Sequence, residues 1–346
     1  MTTEADVSAV SDAMAWILKN VRVRLSNSAE FLFDRMGSQC AVLAVIYVPF
    51  DGAKRGHFVD RGQILDFALA AKGGRVLDFG PGDGWPSLLM APMVSEVIGV
   101  DGSRTRVEAC TRNARRMGIQ NAAFVHVPPG QRLPFDDHSF DAVVAASSIE
   151  QTPDARATLM EICRVLKPGG RLRLDYESLS YYGNDRSSGV GLSQHGRGSD
   201  LVIFERDPNA EAVRYVGLSL DLSPVEVREF CAACGADIHH CSGLRPEVLR
   251  ELRAHATDTV TWTQYHPSCN TLLRWLPEIG FSVAKATYNG GWLAGELFDR
   301  TPVASRPRDI AEIDELLRPL VEIIVTMETP LRGKPGEWDP MVSATK

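Results

Sequence analysis

The sequence has no long hydrophobic run and no cluster of basic residues. Its longest apolar stretch, from Ala41 to Val48, has only eight residues, whereas a membrane-spanning helix needs about 20. The 37 Lys and Arg residues are scattered and outnumbered by 44 Asp and Glu, which gives a net charge of −7. Because binding to a phosphate backbone needs clustered cations, we expect neither a membrane nor a nucleic-acid partner.

Cysteine is also scarce, and the N-terminus lacks a signal-peptide pattern. Seven cysteines without a secretory signal are typical of reduced thiols, so we expect a cytoplasmic protein. Cys231 and Cys234, with His239, His240 and Cys241, have the residue types of a zinc site, but their spacing does not match a zinc knuckle. We therefore predict that the first two pack in the core, and we predict no metal site.

The most informative stretch runs from Val76 to Trp85 and reads VLDFGPGDGW. Glycine has no Cβ, tolerates positive φ and lets main-chain amides approach a ligand closely. An apolar stretch ending at Asp101 follows, and an acid about 20 residues beyond such a loop accepts hydrogen bonds from ribose hydroxyls. The pattern predicts a nucleotide-like ligand near Gly80 to Gly84.

Apolar strands alternate with amphipathic helices from residue 75 onward, which predicts an α/β, Rossmann-like, doubly wound and mostly parallel sheet. The predicted strands are 75–79, 97–101, 123–127, 142–146 and 171–176. Between them, Ser103 and Gly118 are expected to begin and end one helix, and a second helix is expected from 154 to 166.

The regular alternation breaks after residue 176. The stretch 183–199 has too few apolar residues to anchor regular structure, and we expect it to be mobile, whereas 201–206 and 213–220 predict a hairpin. A helix at 272–280, a strand at 281–288 and a last strand at 292–298 are predicted to complete the sheet. The predicted units are an N-terminal helical segment and lid (1–72), a core (73–178 and 266–300), an inserted hairpin and helix cap (179–265), and a C-terminal helix and tail (301–346).

Both termini carry helical stripes of apolar residues at spacings of three and four. One stripe runs from Val7 to Val21 and the other from Ile310 to Met327, where Pro319 is expected to kink or restart the helix. Such a stripe covers the protein's own core or forms the seam of a homodimer, and the pattern leaves both open.

Three stretches together resemble a known family. They are VLDFGPGDG at 76–84, LPFDDHSFDAVVAASSIEQTPD at 133–154 and RVLKPGGRLRL at 164–174. With them, the region 75–176 resembles the class I S-adenosylmethionine-dependent methyltransferases, and most of all the branch that includes the ubiquinone and menaquinone C-methyltransferases. The resemblance implies S-adenosylmethionine as cofactor and transfer of a methyl group to an O, N, S or C nucleophile of a small molecule.

The resemblance also implies roles for single residues. Asp78 would orient the methionine ammonium, the loop amides would bind the carboxylate, Asp101 would hold the ribose diol, and Gly102 and Ser103 would lie beside the adenine. The full set of cofactor-binding residues that it implies is Asp78, Phe79, Gly80, Gly82, Gly84, Trp85, Asp101, Gly102, Ser103, Gly130, Gln131 and Ser147. Where the family often has Gly-Asp-Ala, this chain has Pro-Pro-Gly-Gln at 128–131. The adenine acceptor is therefore Gln131, a main-chain carbonyl, or absent.

Two alternatives compete with a methyltransferase. A nicotinamide dehydrogenase predicts G-x-G-x-x-G, whereas this chain has G-x-G-x-G preceded by Asp78, which suits a zwitterionic methionine tail better than a pyrophosphate. A non-catalytic or regulatory S-adenosylmethionine-binding protein is favoured by the altered adenine stretch and disfavoured by the intact glycine and acid positions.

The methyl acceptor is expected beyond the fourth and fifth strands, where ligands collect in open parallel sheets. Glu150 is the first candidate for a base or a cation anchor, although an acid here can also be structural. His195 in the insert would close over the substrate, unless it is only solvated. The predicted catalytic residues are Glu150, Tyr181 and His195, and the predicted substrate-binding residues are Tyr47, Ser148, Gln151, Tyr176 and Tyr182.

Overall fold

The computed structural model describes residues 4–34, 50–179, 188–235, 244–329 and 340–346, with side chains from Val10 onward. The helices are α1 (Glu4–Asn20), α2 (Arg55–Ala70), α3 (Ser87–Met90), α4 (Arg104–Met117), α5 (Ala155–Val165), α6 (Pro224–Ala233), α7 (Pro246–Leu252), α8 (Cys269–Ile279), α9 (Gly290–Arg300) and α10 (Ile310–Ile324). The strands are β1 (Arg24–Leu25), β2 (Arg75–Phe79), β3 (Glu96–Asp101), β4 (Ala122–His126), β5 (Phe140–Ala146), β6 (Leu166–Asp175), β7 (Ser188–His195), β8 (Gly198–Asp207), β9 (Ala212–Leu220), β10 (Ala256–Tyr265), β11 (Val283–Thr287) and β12 (Met341–Thr345). None of the described helices is long and apolar enough to cross a membrane.

The central sheet has seven strands in the order β11-β12-β6-β5-β2-β3-β4. Strands β2 to β6 are mutually parallel, whereas β12 runs antiparallel to both β6 and β11. The predicted Rossmann-like fold is thus confirmed. Strand β2 lies between β3 and β5, so the strand order along the sheet reverses direction at β2. In open α/β sheets, ligands bind at such a reversal of strand order.

The helices that cover this sheet begin and end where the sequence indicates. Ser103 caps α4 by accepting a hydrogen bond from the Arg106 amide at 3.2 Å, and Gly118 ends the helix with a φ of 69°. Asp154 caps α5 through the Ala157 amide at 2.9 Å. Apolar side chains such as Leu159 pack against the sheet in both cases.

A second sheet of five strands has the order β1-β10-β9-β8-β7. Its β8–β9 hairpin confirms the prediction at 201–220. The prediction of no regular structure in 183–199 is wrong for residues 188–195, which pair antiparallel with β8 and gain their order from that neighbour. Strand β10, which the sequence analysis did not identify, pairs with β9 on the other side. Helices α1, α6 and α7 cover one face of this sheet.

Two predictions near the C-terminus are wrong. Residues 292–298 lie in α9 rather than in a strand, because Asn289 accepts hydrogen bonds from the Gly291 and Trp292 amides and so begins a helix. The additional strand of the sheet is β12, in the segment predicted as a tail. Helix α10 also continues through Pro319 without a second start.

The terminal stripes pack within the chain itself. Met14 and Ile17 of α1 are buried against the second sheet, and Leu317 and Val321 of α10 are buried with α2 and α9. Cys231 is buried as predicted, but Cys234 is exposed, because α6 ends there and turns it outward. His239, His240 and Cys241 lie outside the described residues, as do Tyr47, Tyr181 and Tyr182.

Helices α2 and α9 cross at two glycines. A Cβ on Gly62 would lie 2.3 Å from the carbonyl oxygen of Gly290, whereas a Cβ on Gly56, in the same helix, would meet nothing within 4 Å. We expect Gly62→Ala to lower the free energy of unfolding by about 1 to 3 kcal/mol, because the backbones must separate. Gly56→Ala should leave it unchanged or raise it by up to about 1 kcal/mol through helix propensity. Urea titration of both variants checks this, and equal effects would contradict the close crossing.

Candidate functional site

The glycine loop follows β2 and passes close to its neighbours. Gly80 has a φ of 78°, and its amide donates to the carbonyl of Val100 at 2.8 Å. A Cβ on Gly80 would lie 2.4 Å from the Cβ of Ser148, so no larger residue fits there without a shift. Gly82, with a φ of 61°, has open space at its Cβ position. The loop backbone is therefore accessible at Gly82 and enclosed at Gly80.

Asp101 at the tip of β3 holds this loop from the side. Its Oδ2 accepts from the Gly82 amide at 3.2 Å, and its Oδ1 accepts from the Ser103 amide at 2.8 Å. Burial raises the pKa of Asp101 to about 6, and the two backbone hydrogen bonds oppose that rise. At neutral pH the group is therefore largely a carboxylate, which can accept further hydrogen bonds.

A cavity of about 730 Å³ opens above the loop, at the carboxyl ends of β2, β3 and β5. Nine of the predicted cofactor-binding residues line it, namely Phe79, Gly80, Gly82, Trp85, Asp101, Gly102, Gly130, Gln131 and Ser147. Ser148 and Gln151, predicted to bind substrate, line it as well. The structure thus brings most of the predicted set together around one space.

Three members of the predicted cofactor set lie behind the wall. Asp78 is fully buried and its Oδ2 accepts from the Ser87 hydroxyl at 2.5 Å. Burial raises the pKa of Asp78 to about 7. Ser103 is occupied with the cap of α4 and donates to Asp34 at 2.5 Å, and Gly84 closes a turn onto Pro81. Asp78 is thus held by its hydrogen bond with Ser87, just after the loop. A contact between Asp78 and a ligand stays a prediction.

The altered adenine stretch forms one wall of the cavity. Pro129, Gly130 and Gln131 all line it. A Cβ on Gly102 would lie 2.9 Å from Cγ of Pro129, so this proline packs directly onto the glycine after Asp101. A proline ring therefore shapes this part of the wall, where an acid is common in the family that the sequence resembles. Of these three residues, Gln131 has the side chain that can accept a hydrogen bond.

A second cavity, of about 290 Å³, adjoins the first, because Phe33 and Gln151 line both. Glu150 lies in its wall with 2% of its surface exposed, and its Oε1 accepts from the Glu177 amide at 3.2 Å. Burial raises the pKa of Glu150 to about 8. Glu150 is therefore mostly protonated at neutral pH, which makes it a hydrogen-bond donor rather than an anchor for a cation.

His266, which the sequence analysis did not single out, lies in the same wall directly after β10. Its amide donates to the Glu211 carbonyl at 2.7 Å, and its ring Nδ1 lies 2.9 Å from the Glu177 carbonyl oxygen. Burial lowers the pKa of His266 below its ordinary value. The ring is therefore neutral at pH 7, with its proton on Nδ1 and a lone pair on Nε2.

The prediction that His195 closes over the substrate is not supported by its position. His195 pairs with Gly198 in the β7–β8 hairpin, whereas Arg206, in the wall of the second cavity, lies near the other end of β8. Arg206 is eight residue steps from Gly198, or about 26 Å along the extended strand. Tyr176 is 5% exposed and packs in the core of the central sheet.

Several wall residues carry no signal in the sequence. Ala29 and Phe33 come from a short helix at Ala29–Asp34 that follows the edge strand of the second sheet, and Ser28 directly precedes this helix. Tyr215 and Gln264 come from β9 and β10 of that sheet, and His266 directly follows β10. Whether these residues line the cavities depends on how the second sheet packs against the central sheet. No local sequence pattern indicates that packing.

The comparisons with known proteins agree with this geometry. The family model described as "Methyltransferase domain" matches residues 77–174. Over these residues the chain is similar to methyltransferase domains. The uncharacterized methyltransferase YcgJ of Bacillus subtilis is 36% identical over 115 residues, which are 33% of this chain and 45% of that protein. A demethylmenaquinone methyltransferase of Clavibacter sepedonicus is 39% identical over 100 residues, or 29% of this chain and 40% of the relative.

The chain spans under half the length of these curated relatives. The 27-O-demethylrifamycin SV methyltransferase of Amycolatopsis mediterranei is 34% identical over 103 residues, which are 30% of this chain and 38% of the relative. Among solved structures, the CcbJ methyltransferase from Streptomyces caelestis shares 13% identity over 83% of this chain and 94% of its own, with a TM-score of 0.46.

The burial of Glu150 predicts a pH-dependent stability. Because its pKa is raised in the folded state, this group binds its proton more tightly there, and the stability that it contributes falls as pH rises from its ordinary pKa towards 8. Glu150→Gln cannot ionise, so its free energy of unfolding relative to the wild type should rise between pH 5 and pH 9, by up to about 4 kcal/mol. Urea unfolding at both pH values measures this difference.

Glu229→Gln, on the exposed face of α6, is the matched control and should show no such pH dependence beyond about 0.5 kcal/mol. The other buried acids are the same in all three proteins, so their contributions cancel. A pH-independent difference for Glu150→Gln would show that Glu150 is not held protonated by burial.

Proposed function

We propose that this protein is an S-adenosylmethionine-dependent methyltransferase that acts on a small molecule. The observation that carries the proposal is the pairing of the accessible Gly82 backbone with the Asp101 carboxylate at the edge of one large cavity. The matched family at 77–174 covers this loop and this acid. The relatives are named as methyltransferases of demethylmenaquinone and of a demethylrifamycin, which supports a small molecule as acceptor.

The residues present fit the cofactor in charge and in hydrogen-bonding capacity. Two buried polar atoms of the first cavity's lining residues, Nε1 of Trp85 and Oε1 of Gln151, have no hydrogen-bond partner in the described chain. The wall thus combines an unused donor, an unused acceptor and a carboxylate. When bound, S-adenosylmethionine supplies an electrophilic methyl carbon. Asp101 would hold the ribose, and Gly80 to Gly84 would lie against the methionine end.

The rest of the protein supplies alignment and a second, smaller chamber for the acceptor. Methyl transfer is an in-line displacement, so positioning of the two reactants accounts for most of the rate. The second cavity shares Phe33 and Gln151 with the first, which suits an acceptor placed beside the donor. Glu150 would contact the acceptor as a neutral donor, and Tyr181 remains a predicted contact. We also propose that the protein is located in the cytoplasm and that it forms a homodimer.

A non-catalytic binder with the same fold is the second candidate. The observation that favours it is the proline-rich adenine wall, where Pro129 packs on Gly102. Calorimetry alone cannot separate the two, but binding of the donor without turnover on any small molecule would favour the binder.

We expect Asp101→Ala to weaken binding of S-adenosylmethionine by about 1 to 3 kcal/mol, because the ribose hydroxyls lose their acceptor. Titration calorimetry with the donor and with its demethylated product measures this. Asp136→Ala, an exposed acid on the loop before β5, is the control and should bind both ligands as the wild type does. Circular dichroism checks that each variant is folded.

Unchanged affinity in Asp101→Ala would contradict the assignment of Asp101. Failure of the folded wild-type protein to bind either ligand would overturn the proposed function as a whole.

A further inference from the structure

The second cavity contains a neutral histidine whose orientation is fixed. The His266 backbone is tied to the β8–β9 turn through the Glu211 carbonyl, and its ring is tied to the Glu177 carbonyl. A carbonyl oxygen only accepts, so Nδ1 must carry the proton. Nε2 is then the basic atom, and it is buried with no hydrogen-bond partner in the described chain.

A buried lone pair without a partner loses the hydrogen bond that water would give, which costs about 1 to 3 kcal/mol. Such a group at the wall of a polar cavity suits a ligand that donates a proton or a hydrogen bond. His266 is 8% exposed, and it lies in the wall with Glu150, Gln151 and Gln264. The position therefore has the features of a ligand contact and not of a surface histidine.

We propose that His266 is the proton acceptor of the methyl transfer and that the acceptor molecule presents a hydroxyl group to Nε2. This inference rests on the proposed function. The hydroxyl oxygen forms a bond to the methyl carbon of the donor while the carbon–sulfur bond breaks and its electron pair stays on sulfur. The hydroxyl proton passes to Nε2, and the imidazolium later returns it to water.

The charges around His266 favour a hydroxyl over other nucleophiles. The titratable and charged groups in the wall are Glu150, Glu177, Arg206 and Tyr215. Glu150 is mostly protonated at neutral pH because burial raises its pKa to about 8. The carboxylate of Glu177 and the guanidinium of Arg206 act on His266 in opposite senses. With a neutral imidazole between them, the chamber suits an uncharged group better than an ammonium, and a thioether would need no proton acceptor.

The fixed tautomer is testable without any acceptor. In a spectrum of the protein with ¹⁵N-labelled histidine, we expect the His266 ring at pH 7 to be neutral and protonated on Nδ1. The signal is assigned by its loss in His266→Asn. A ring protonated on Nε2, or an imidazolium at pH 7, would overturn the proposal.

The transfer itself is tested with a ¹³C-methyl donor and a small-molecule extract of the producing cells. We expect the wild-type protein to yield an O-methyl product. His266→Asn keeps an amide N–H for the Glu177 carbonyl but has no base, so the rate should fall by about 10²- to 10⁴-fold while the Kd for the donor stays unchanged. The wild-type rate should also rise with pH through the pKa of His266, and this dependence should vanish in the variant.

The matched control is His255→Asn, since His255 precedes β10 at its other end and contacts Asp221. It should keep both the rate and the donor affinity of the wild type. A labelled product methylated on N, S or C, or an unchanged rate in His266→Asn, would overturn this inference and leave the proposed function intact. No labelled product from a wild-type protein that binds the donor would favour the non-catalytic binder and so count against the proposed function. Loss of donor binding by the wild type would likewise count against the proposed function.

Discussion

The carboxylate of Asp101 fixes the geometry on which the rest of the site depends. It joins the glycine loop after β2 to the turn after β3 through two main-chain amides. The loop is also held by the contacts of Gly80 with Val100 and Ser148, and by the hydrogen bond that Asn113 donates to the carbonyl of Asp83 at 2.8 Å. The parallel sheet brings the two strand ends side by side, and the acid sets the distance between the turns that follow them.

The second sheet supplies side chains to the wall of the smaller cavity. Its strands β8, β9 and β10 supply Arg206, Tyr215 and Gln264 to the smaller cavity, and His266 reaches it from directly after β10. The central sheet supplies only the segments after β5 and β6, with Glu150 and Glu177. The larger cavity is thus lined mostly by the matched domain, and the smaller cavity is lined mostly by residues outside it.

The sequence predicted the elements whose signals are local. Strands β2 to β6 read as apolar runs, and Ser103, Gly118 and Asp154 mark helix ends through single side chains or a single φ. Strand β7 could not be predicted in this way, because its glycines and serines gain order only by pairing with β8. Similarly, β12 is short and joins the sheet from a distant part of the chain.

The shared wall between the two cavities has a thermodynamic consequence. Phe33 and Gln151 line both spaces, so a ligand in one that reorients either side chain changes the shape available to the other. Any such coupling must be reciprocal, because each ligand alters the affinity for its neighbour by the same factor. One aromatic ring and one amide thus give the protein a means of making occupancy of one cavity change the affinity of the other.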